Sequence, residues 1–529
     1  MPVGSLIPFD PASARHSLFQ ALLNARAEHG GDTIALVDGD DRALSYDQII
    51  RAGFGLGSAL KRGTRSGECV GVMLPTGAAG AIAFFALSAY GRIPTMLNFT
   101  SGVAALRSAL HTAQVRRVVT ARRLVDMAGL KDTVAALDEF EFVYLEDVRR
   151  TLSPADKLMA VAGKLAPRLV AAHSRPDDPA VILFTSGTEG QPKGVALSHA
   201  NILANVAQVR ARCALYPDDV MFNPLPIFHS MGLIGGILIP LIAGIKVVTH
   251  PTPLQPREIV RRIHAHRATI LFSTDTFINQ YARCSDVGEL DTLRVAVCGA
   301  ERLRDETRVA LRKKSTVILL EGYGVTETSP VAAVNQFEDN RPGTVGRLMD
   351  GMEARLEPVE GITGAGQLHL RGPNIMLGYI KPDAPGKIVP PEGGWHNTGD
   401  IVAIGEDGFI AIRGRLKRFA KIGGEAVSLA VVENIAAALW PEYSHAAVAV
   451  TDGRKGEKIV LVTTAPEARR LDMIGWAQNH GVAELSVPRE VVLAEAIPML
   501  ATGKTDYVSV QKMAEAEQGT SSPVISPQS

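Results

Sequence analysis

The sequence predicts a layered α/β protein that ends in a small, separate C-terminal unit. Up to about residue 320, short apolar runs alternate with helical patterns across turns, the arrangement that builds parallel sheets covered by helices. From about Arg341 the texture changes to short alternating strands, "EARLEPV", "GQLHLRG" and "GFIAIRGR", bounded by Gly or Asp. These predict a small antiparallel, β-barrel-like section. After "GRLKRFAK", helices and strands alternate again over about 90 residues, long enough for a domain of its own.

The elements follow in order. Residues Leu18 to Gly30 carry an amphipathic helical pattern. "TIALVDGDDRALSYDQI" reads as a hairpin around Gly39 to Asp41 followed by a helix. "ECVGVMLP" is a strand, "GAIAFFALSAYG" a nearly all-apolar buried helix, and "VRRVVTA" a strand after the helix around Leu106. "MGLIGGILIPLIAGIKVV", Met231 to Val248, is the most membrane-like stretch. It falls short of a bilayer span and holds Pro240 and Lys246, so a buried helix followed by a strand is expected. In the C-terminal unit "VVENIAAALW" is a helix, and "HAAVAVT" and "KIVLVTT" are strands. The tail "AEQGTSSPVISPQS" has the composition of a disordered segment.

Bulk composition narrows the function classes. Hydrophobic residues make up 46% and charged residues 21% of the 529, an ordinary globular balance. The 55 basic and 55 acidic side chains cancel, so no global basic field marks a nucleic-acid binder. Cys69, Cys213, Cys284 and Cys298 are scattered, with no CxxC pair, which favours a reducing compartment over a disulfide scaffold or structural zinc site. The N-terminus lacks a basic region followed by an apolar run, so no signal peptide is expected. A cytoplasmic protein follows, with peripheral membrane contact left open.

The stretch "ILFTSGTEGQPKGVALS", Ile182 to Ser198, sets glycines, hydroxyls and one lysine between two apolar runs. Glycine lets several backbone N–H groups converge on one anion; hydroxyls add donors and lysine adds charge. Thr185, Ser186, Gly187, Thr188, Gly190, Lys193 and Gly194 therefore suit a nucleotide triphosphate, although a plain turn has the same composition. The spacing is not that of a Walker A loop. "ATGKT" at Ala501 to Thr505 fails the same test, because Pro498 stands where its first glycine is required.

With "FNPLPIFHSMG", "CGAERL", "EGYGVTET", "HNTGD", "GRLKRFAKIGGEAVS" and "MLATGKTDY" following in order, the chain resembles the AMP-forming adenylate superfamily of acyl-CoA synthetases, luciferases and peptide adenylation domains. The local wording is most similar to the acyl-carrier-protein synthetase portion of bifunctional 2-acylglycerophosphoethanolamine acyltransferases. The HxxxxD spacing of His173 and Asp178 is read as chance, and a freestanding synthetase half is expected. The resemblance implies a multi-layered N-terminal domain, residues 1–416, with two α/β subdomains and the barrel-like one. It further implies a small mobile α+β domain, 417–515, before the tail 516–529. It also implies two half-reactions, in which a carboxylate attacks the α-phosphorus of ATP and a thiol then opens the acyl-adenylate.

The same resemblance implies roles. The loop from Thr185 to Gly194 wraps the β- and γ-phosphates, with Lys193 against the leaving pyrophosphate. Gly299, Ala300 and Glu301 of "CGAERL" join the nucleotide site, as do Gly322, Tyr323 and Gly324, with Tyr323 against adenine. Thr326 meets the α-phosphate, and Glu327 with Thr185 holds Mg²⁺. Asp400 grips the ribose with support from Arg415. Lys504 reaches the carboxylate oxygen and the α-phosphate during adenylation, where a point cation suits the accumulating charge. Thr505 and Tyr507 depart from the apolar and basic residues of many relatives. Lys417 is the hinge, and Lys421, Gly423 and Gly424 line the pantetheine tunnel.

By resemblance, His229 lies at the mouth of the acyl pocket beside Phe228. Gly235, Gly236 and Gly244 are expected to leave space that, with "FSTDTF" (Phe272 to Phe277), forms an alkyl tunnel. A fatty acid is favoured over an aryl or small acid. An amino acid is least favoured, although Asp275 brings a charge near the region where an amine-binding Asp would sit. For the acceptor, acyl carrier protein is expected first and coenzyme A second. An acidic carrier needs a basic surface, for which Arg257 to Arg267, "GRLKRFAK" and "EARRLDM" are candidates. A non-catalytic nucleotide or acyl-adenylate sensor would lack Lys504 or the phosphate loop; both are present.

Overall fold

Apolar runs flanked by turns pair where the chain can return them side by side, and two sheets organise the first part of the molecule. The computed structural model describes residues 6–186, 192–422, 425–452, 456–499 and 505–520. Two compact units are distinguished: Met1–Glu353 with Arg371–His396, and Ala354–Leu370 with Asn397–Ser529.

In the first unit, a nine-stranded sheet is parallel from Ile34–Val37 through Lys246–Thr249, Val220–Asn223, Ile270–Ser273 and Val295–Cys298 to Ile318–Gly324. Both edges turn antiparallel, one at Ala43–Ser45 and the other at Val331–Val334 and Arg347–Leu348. An eight-stranded sheet is parallel across Glu141–Tyr144, Arg117–Thr120, Cys69–Val72, Ile93–Met96 and Pro179–Ser186. It then turns antiparallel through Pro192–Ser198, Gly378–Lys381 and Ala384–Val389. The sequence led us to expect parallel layers. The antiparallel edge arises because the segment joining residues 186 and 192 is too short for a crossover helix.

Helices begin where side chains satisfy their first N–H groups. Ser45 with Gln48 and Ser198 with Asn201 form reciprocal caps at Tyr46–Leu60 and His199–Arg212. The all-apolar helix Ala78–Ala89 is buried, as its composition predicted. The glycine-rich stretch is buried too: wider π turns over Met231–Leu238 continue into Ile239–Ile242 and the strand Lys246–Thr249. Among the described residues, no helix is long and apolar enough to cross a membrane.

The second unit holds the short alternating strands in a four-stranded sheet of order Glu353–Glu357, Gly366–Arg371, His396–Ile404, Ile410–Arg415. A further sheet pairs His445–Asp452 with Gly456–Thr463. Alternation along these strands feeds two cores. Ala447, Ile459 and Leu461 pack with Ile435 and Met473, while Ala446, Val448 and Val460 pack with Val510 and Ala514. The helix Tyr507–Thr520 runs past residue 516, where the sequence suggested a tail. Lys417 lies inside this unit, in the single turn Leu416–Arg418.

Candidate active site

Strand register brings together those residues of the expected phosphate loop that are described. In the hairpin, Thr185 stands opposite Lys193 and Phe184 opposite Gly194. The next strand sets Tyr379 opposite Val195, two residues from Lys193, so both side chains share a face. The Lys193 ammonium lies 5.5 Å from the centre of the Tyr379 ring. The Tyr379 hydroxyl donates to Glu327 Oε1 at 2.6 Å. Ser186 is the last strand residue; Gly187, Thr188 and Gly190 fall outside the described residues.

Glu327 sits in the turn Thr326–Thr328 and is only 8% exposed. The turn is bound to the segment preceding Tyr379. The Met376 N–H donates to Glu327 O, Asn374 Nδ2 donates to Thr328 O, and Ser329 Oγ donates to Asn374 O. Gly324 is required by close approach, since a Cβ there would stand 1.9 Å from Pro330 O. At Gly322 the nearest atoms are 3.5 Å away, ordinary contact. Tyr323 is buried in the strand, opposite Ala333. Glu321 is ion-paired with Arg308 and accepts from the Gly343 N–H; burial pushes its carboxyl up.

Thr326 Oγ1 and Ser230 Oγ are 3.2 Å apart, which joins the "HSMG" segment to the turn. His229 stacks edgewise on Phe228, with ring centres 4.7 Å apart, and Phe228 on Phe99 at 5.2 Å. Gly299 meets Met231, whose Cε would lie 3.1 Å from an added Cβ, and Ala300 adopts a left-handed φ of 65°. Glu301 accepts from both the N–H and the hydroxyl of Thr276, so its carboxylate caps the helix Asp275–Cys284.

Two acyl-pocket expectations change. The volumes left at Gly236 and Gly244 are filled: an added Cβ would lie 2.3 Å from the Asn223 amide and from the His29 ring respectively. These glycines permit close packing instead of opening a tunnel. Gly235 does face an aromatic ring, with Phe272 Cδ2 at 3.1 Å. Asp275 is buried and holds Arg304 through Nε and the backbone N–H, so its charge is matched within the fold.

In the second unit, Asp400 is 3% exposed and stands directly opposite Arg415, whose Nε donates to Asp400 Oδ1 at 2.9 Å. Lys421 is exposed on the strand Phe419–Ile422; Gly423 and Gly424 lie outside the described residues. So does Lys504, but the residues on either side of 500–504 are described. Met499 bridges Thr505, and the Asp506 N–H donates to Pro498 O at 2.8 Å. Next to it, Tyr507 donates to Glu433 Oε1 at 3.1 Å and lies under the Arg418 guanidinium at 3.6 Å. Burial pushes the Tyr507 phenol up to about 12. Arg418 also pairs with Glu433, which ties the residue after Lys417 to the segment after Lys504.

Sequence reasoning missed Tyr379, Glu433 and Arg418. Tyr379 sits in "GPNIMLGYIKPD", whose Gly-Tyr step was the available signal. Conversely, the basic helix Pro256–Ala265 is committed to its own fold. Arg257 pairs with Glu289 and Asp286, Arg261 with Glu258, and the buried Arg262 with Asp41 while donating to Asp38 O and Gly39 O.

A buried carboxylate, a lysine on the hairpin of Pro179–Ser186 and Pro192–Ser198, and a hydroxyl-bearing turn make up the candidate site. The chain belongs to the AMP-binding enzyme family, whose sequence model matches residues 23–380. It is 26% identical over 505 residues to the medium-chain fatty-acid–CoA ligase of Escherichia coli (strain K12), covering 91% of this chain and 88% of that protein. It is 26% identical over 534 residues to the long-chain-fatty-acid–CoA ligase of Salmonella typhimurium, covering 94% and 92%. Its fold is shared with ATP-bound MatB from Rhodopseudomonas palustris, at a TM-score of 0.81 and 24% identity, over 95% of this chain and 99% of that one.

Proposed function

We propose that this protein activates a fatty acid with ATP and passes the acyl group to coenzyme A. The observation that carries the reading is the contact chain from Lys193 through Tyr379 to Glu327, inside a chain of the AMP-binding enzyme family. In the first half-reaction a carboxylate oxygen bonds to the α-phosphorus and the bond to pyrophosphate breaks. Lys193 neutralises the departing charge, and Lys504 steadies the carboxylate and α-phosphate oxygens. Thr326 donates to the α-phosphate, and the Asp400 carboxylate, oriented by Arg415, accepts the ribose hydroxyls. The hard oxygens of Glu327 and Thr185 suit Mg²⁺, which when bound supplies charge neutralisation to the phosphates. In the second half-reaction the thiol sulfur bonds to the acyl carbon, the carbon–oxygen bond to AMP breaks, and the thiol proton leaves to solvent. Between the two, the C-terminal domain turns about Lys417, withdrawing Lys504 and bringing Lys421, Gly423 and Gly424 to the pantetheine arm.

Coenzyme A displaces acyl carrier protein as the first reading for two reasons. The relatives named above are CoA ligases, matched over most of their length. Arg257, Arg261 and Arg262 of Pro256–Ala265 are each matched by carboxylates of the chain itself, so that helix offers an acidic carrier little net positive charge. The test is ATP–pyrophosphate exchange across fatty, aryl and small acids, followed by single-turnover transfer to coenzyme A and to holo-carrier protein in parallel. Exchange with fatty acids and transfer to coenzyme A are expected. Silence with every fatty acid, or transfer to carrier protein alone, overturns the reading.

A further inference from the structure

The helix Pro154–Leu165 is amphipathic in an inverted sense. At 100° per residue, Asp156, Ala160 and Gly163 share one side, and that side is turned inward. Gly163 lies against the Phe54 ring, Ala160 against Gly55, and the buried Asp156 pairs with Arg62 at 2.6 Å. The opposite side carries Leu158, Val161 and Leu165, which are 66%, 45% and 78% exposed. The short turn Pro167–Val170 extends the row with Leu169, 88% exposed. A row of aliphatic side chains left in water on a helix with a fully satisfied inner face marks a surface built to be covered.

The exposed charges carried by the segment 149–170 itself have one sign, with Asp47 the neighbouring acid beside Lys164. Lys157 and Lys164 flank it on the same helix, Arg168 follows it, and Arg149 and Arg150 precede it, all exposed. The one acid between residues 149 and 170, Asp156, is the buried partner of Arg62. Lys164 approaches Asp47 at 3.1 Å yet keeps 45% of its side chain exposed, and Arg168 donates to the neutral Asn24 amide. Aliphatic groups directed outward between cations match an anionic bilayer surface, where acyl chains take up the leucines and headgroup phosphates meet the ammonium and guanidinium groups.

We propose that the row Leu158, Val161, Leu165 and Leu169, with its flanking lysines and arginines, docks this protein on an anionic lipid surface. Docking there holds the ligase where sparingly soluble long-chain acids partition. The contact is interfacial: the helix is too short to span a bilayer.

The test uses the full chain and vesicles of phosphatidylcholine with about one third phosphatidylglycerol, read by flotation without turnover, so its outcome is separable from that of the ligase reading. Binding is expected to anionic vesicles and to weaken with added salt. Leu165→Ser with Leu169→Ser is expected to lower the partition coefficient about tenfold or more. Lys157→Glu with Arg168→Glu should do the same on anionic vesicles only. Both variants should keep ATP–pyrophosphate exchange with a short, soluble acid. No binding to anionic vesicles, or binding that neither pair of substitutions weakens, overturns the proposal. So does a change in oligomeric state of the leucine variant at unchanged vesicle binding, which assigns the row to a second copy of the chain.

Discussion

Tyr379→Phe removes one oxygen and leaves the ring on which Lys193 rests. The lost interaction is a 2.6 Å hydrogen bond to a carboxylate that is 8% exposed. Hydrogen bonds to charged groups are worth about 1.5–3 kcal/mol, which corresponds to about 10- to 100-fold in rate if the bond orients Glu327 in the transition state. The assay is ATP–pyrophosphate exchange at saturating acid, with Mg²⁺ titrated in each variant. Tyr379→Phe is expected to lower kcat/KM for ATP by about 10- to 100-fold and to raise the Mg²⁺ concentration for half-maximal activity. Tyr379→Leu, which also removes the ring beneath Lys193, should lower activity further. A loss of activity at an unchanged Mg²⁺ requirement would refute the reasoning, as would full activity in Tyr379→Phe.

Further outcomes follow from other contacts. His199 is buried, and its Nδ1 accepts from the Leu18 N–H; burial lowers its imidazole from 6.5 to about 4. Its stabilising share is therefore complete above pH 6.5 and lost as pH falls toward 4, on the order of 3 kcal/mol; calorimetry should show a shallower acid slope in His199→Gln. Gly324→Ala should destabilise by about 1–3 kcal/mol or more, or abolish soluble expression, whereas Gly322→Ala should fold normally; equal melting temperatures for the two would contradict the packing at Pro330. Lys504→Ala should lose most adenylation yet form thioester from supplied acyl-AMP, and equal loss in both steps would defeat a two-pose mechanism.

The motifs were legible because their chemistry is local. A hairpin, its glycines and its lysine occupy adjacent positions, and "EGYGVTET" holds its carboxylate within one turn. Tyr379 was not legible, because its role arises from pairing with Val195 across a long sequence separation. Asp275 read as ambiguous for the same reason, since its partner Arg304 lies on another segment. Glycines read as space, yet Asn223 and His29 fill the volumes beside Gly236 and Gly244. The leucine row shows a different limit. Periodicity tells which residues share a face of Pro154–Leu165, not which face is buried. There the small face won, because Gly163 admits the Phe54 ring to the helix backbone where a leucine would hold it off.

The antiparallel edge of the eight-stranded sheet explains how so few residues bring Thr185, Lys193, Tyr379 and Glu327 together. In a parallel pair, neighbouring strands are separated by a crossover, and their side chains reach a ligand from loops that can shift independently. Here the strands Pro179–Ser186, Pro192–Ser198 and Gly378–Lys381 lie side by side through antiparallel ladders, about 4.8 Å apart. Register alone then sets Thr185 opposite Lys193 and puts Tyr379 on the same face as Lys193. The hydroxyl of Tyr379 carries that order into the turn of Glu327, which the Met376 N–H and Asn374 amide hold from the same segment. Displacing Gly378–Lys381 by one residue would turn Tyr379 to the other face of the sheet and break its contacts with Lys193 and Glu327 together. The cation and the carboxylate proposed to meet opposite sides of one phosphate chain are thus both held through a single strand.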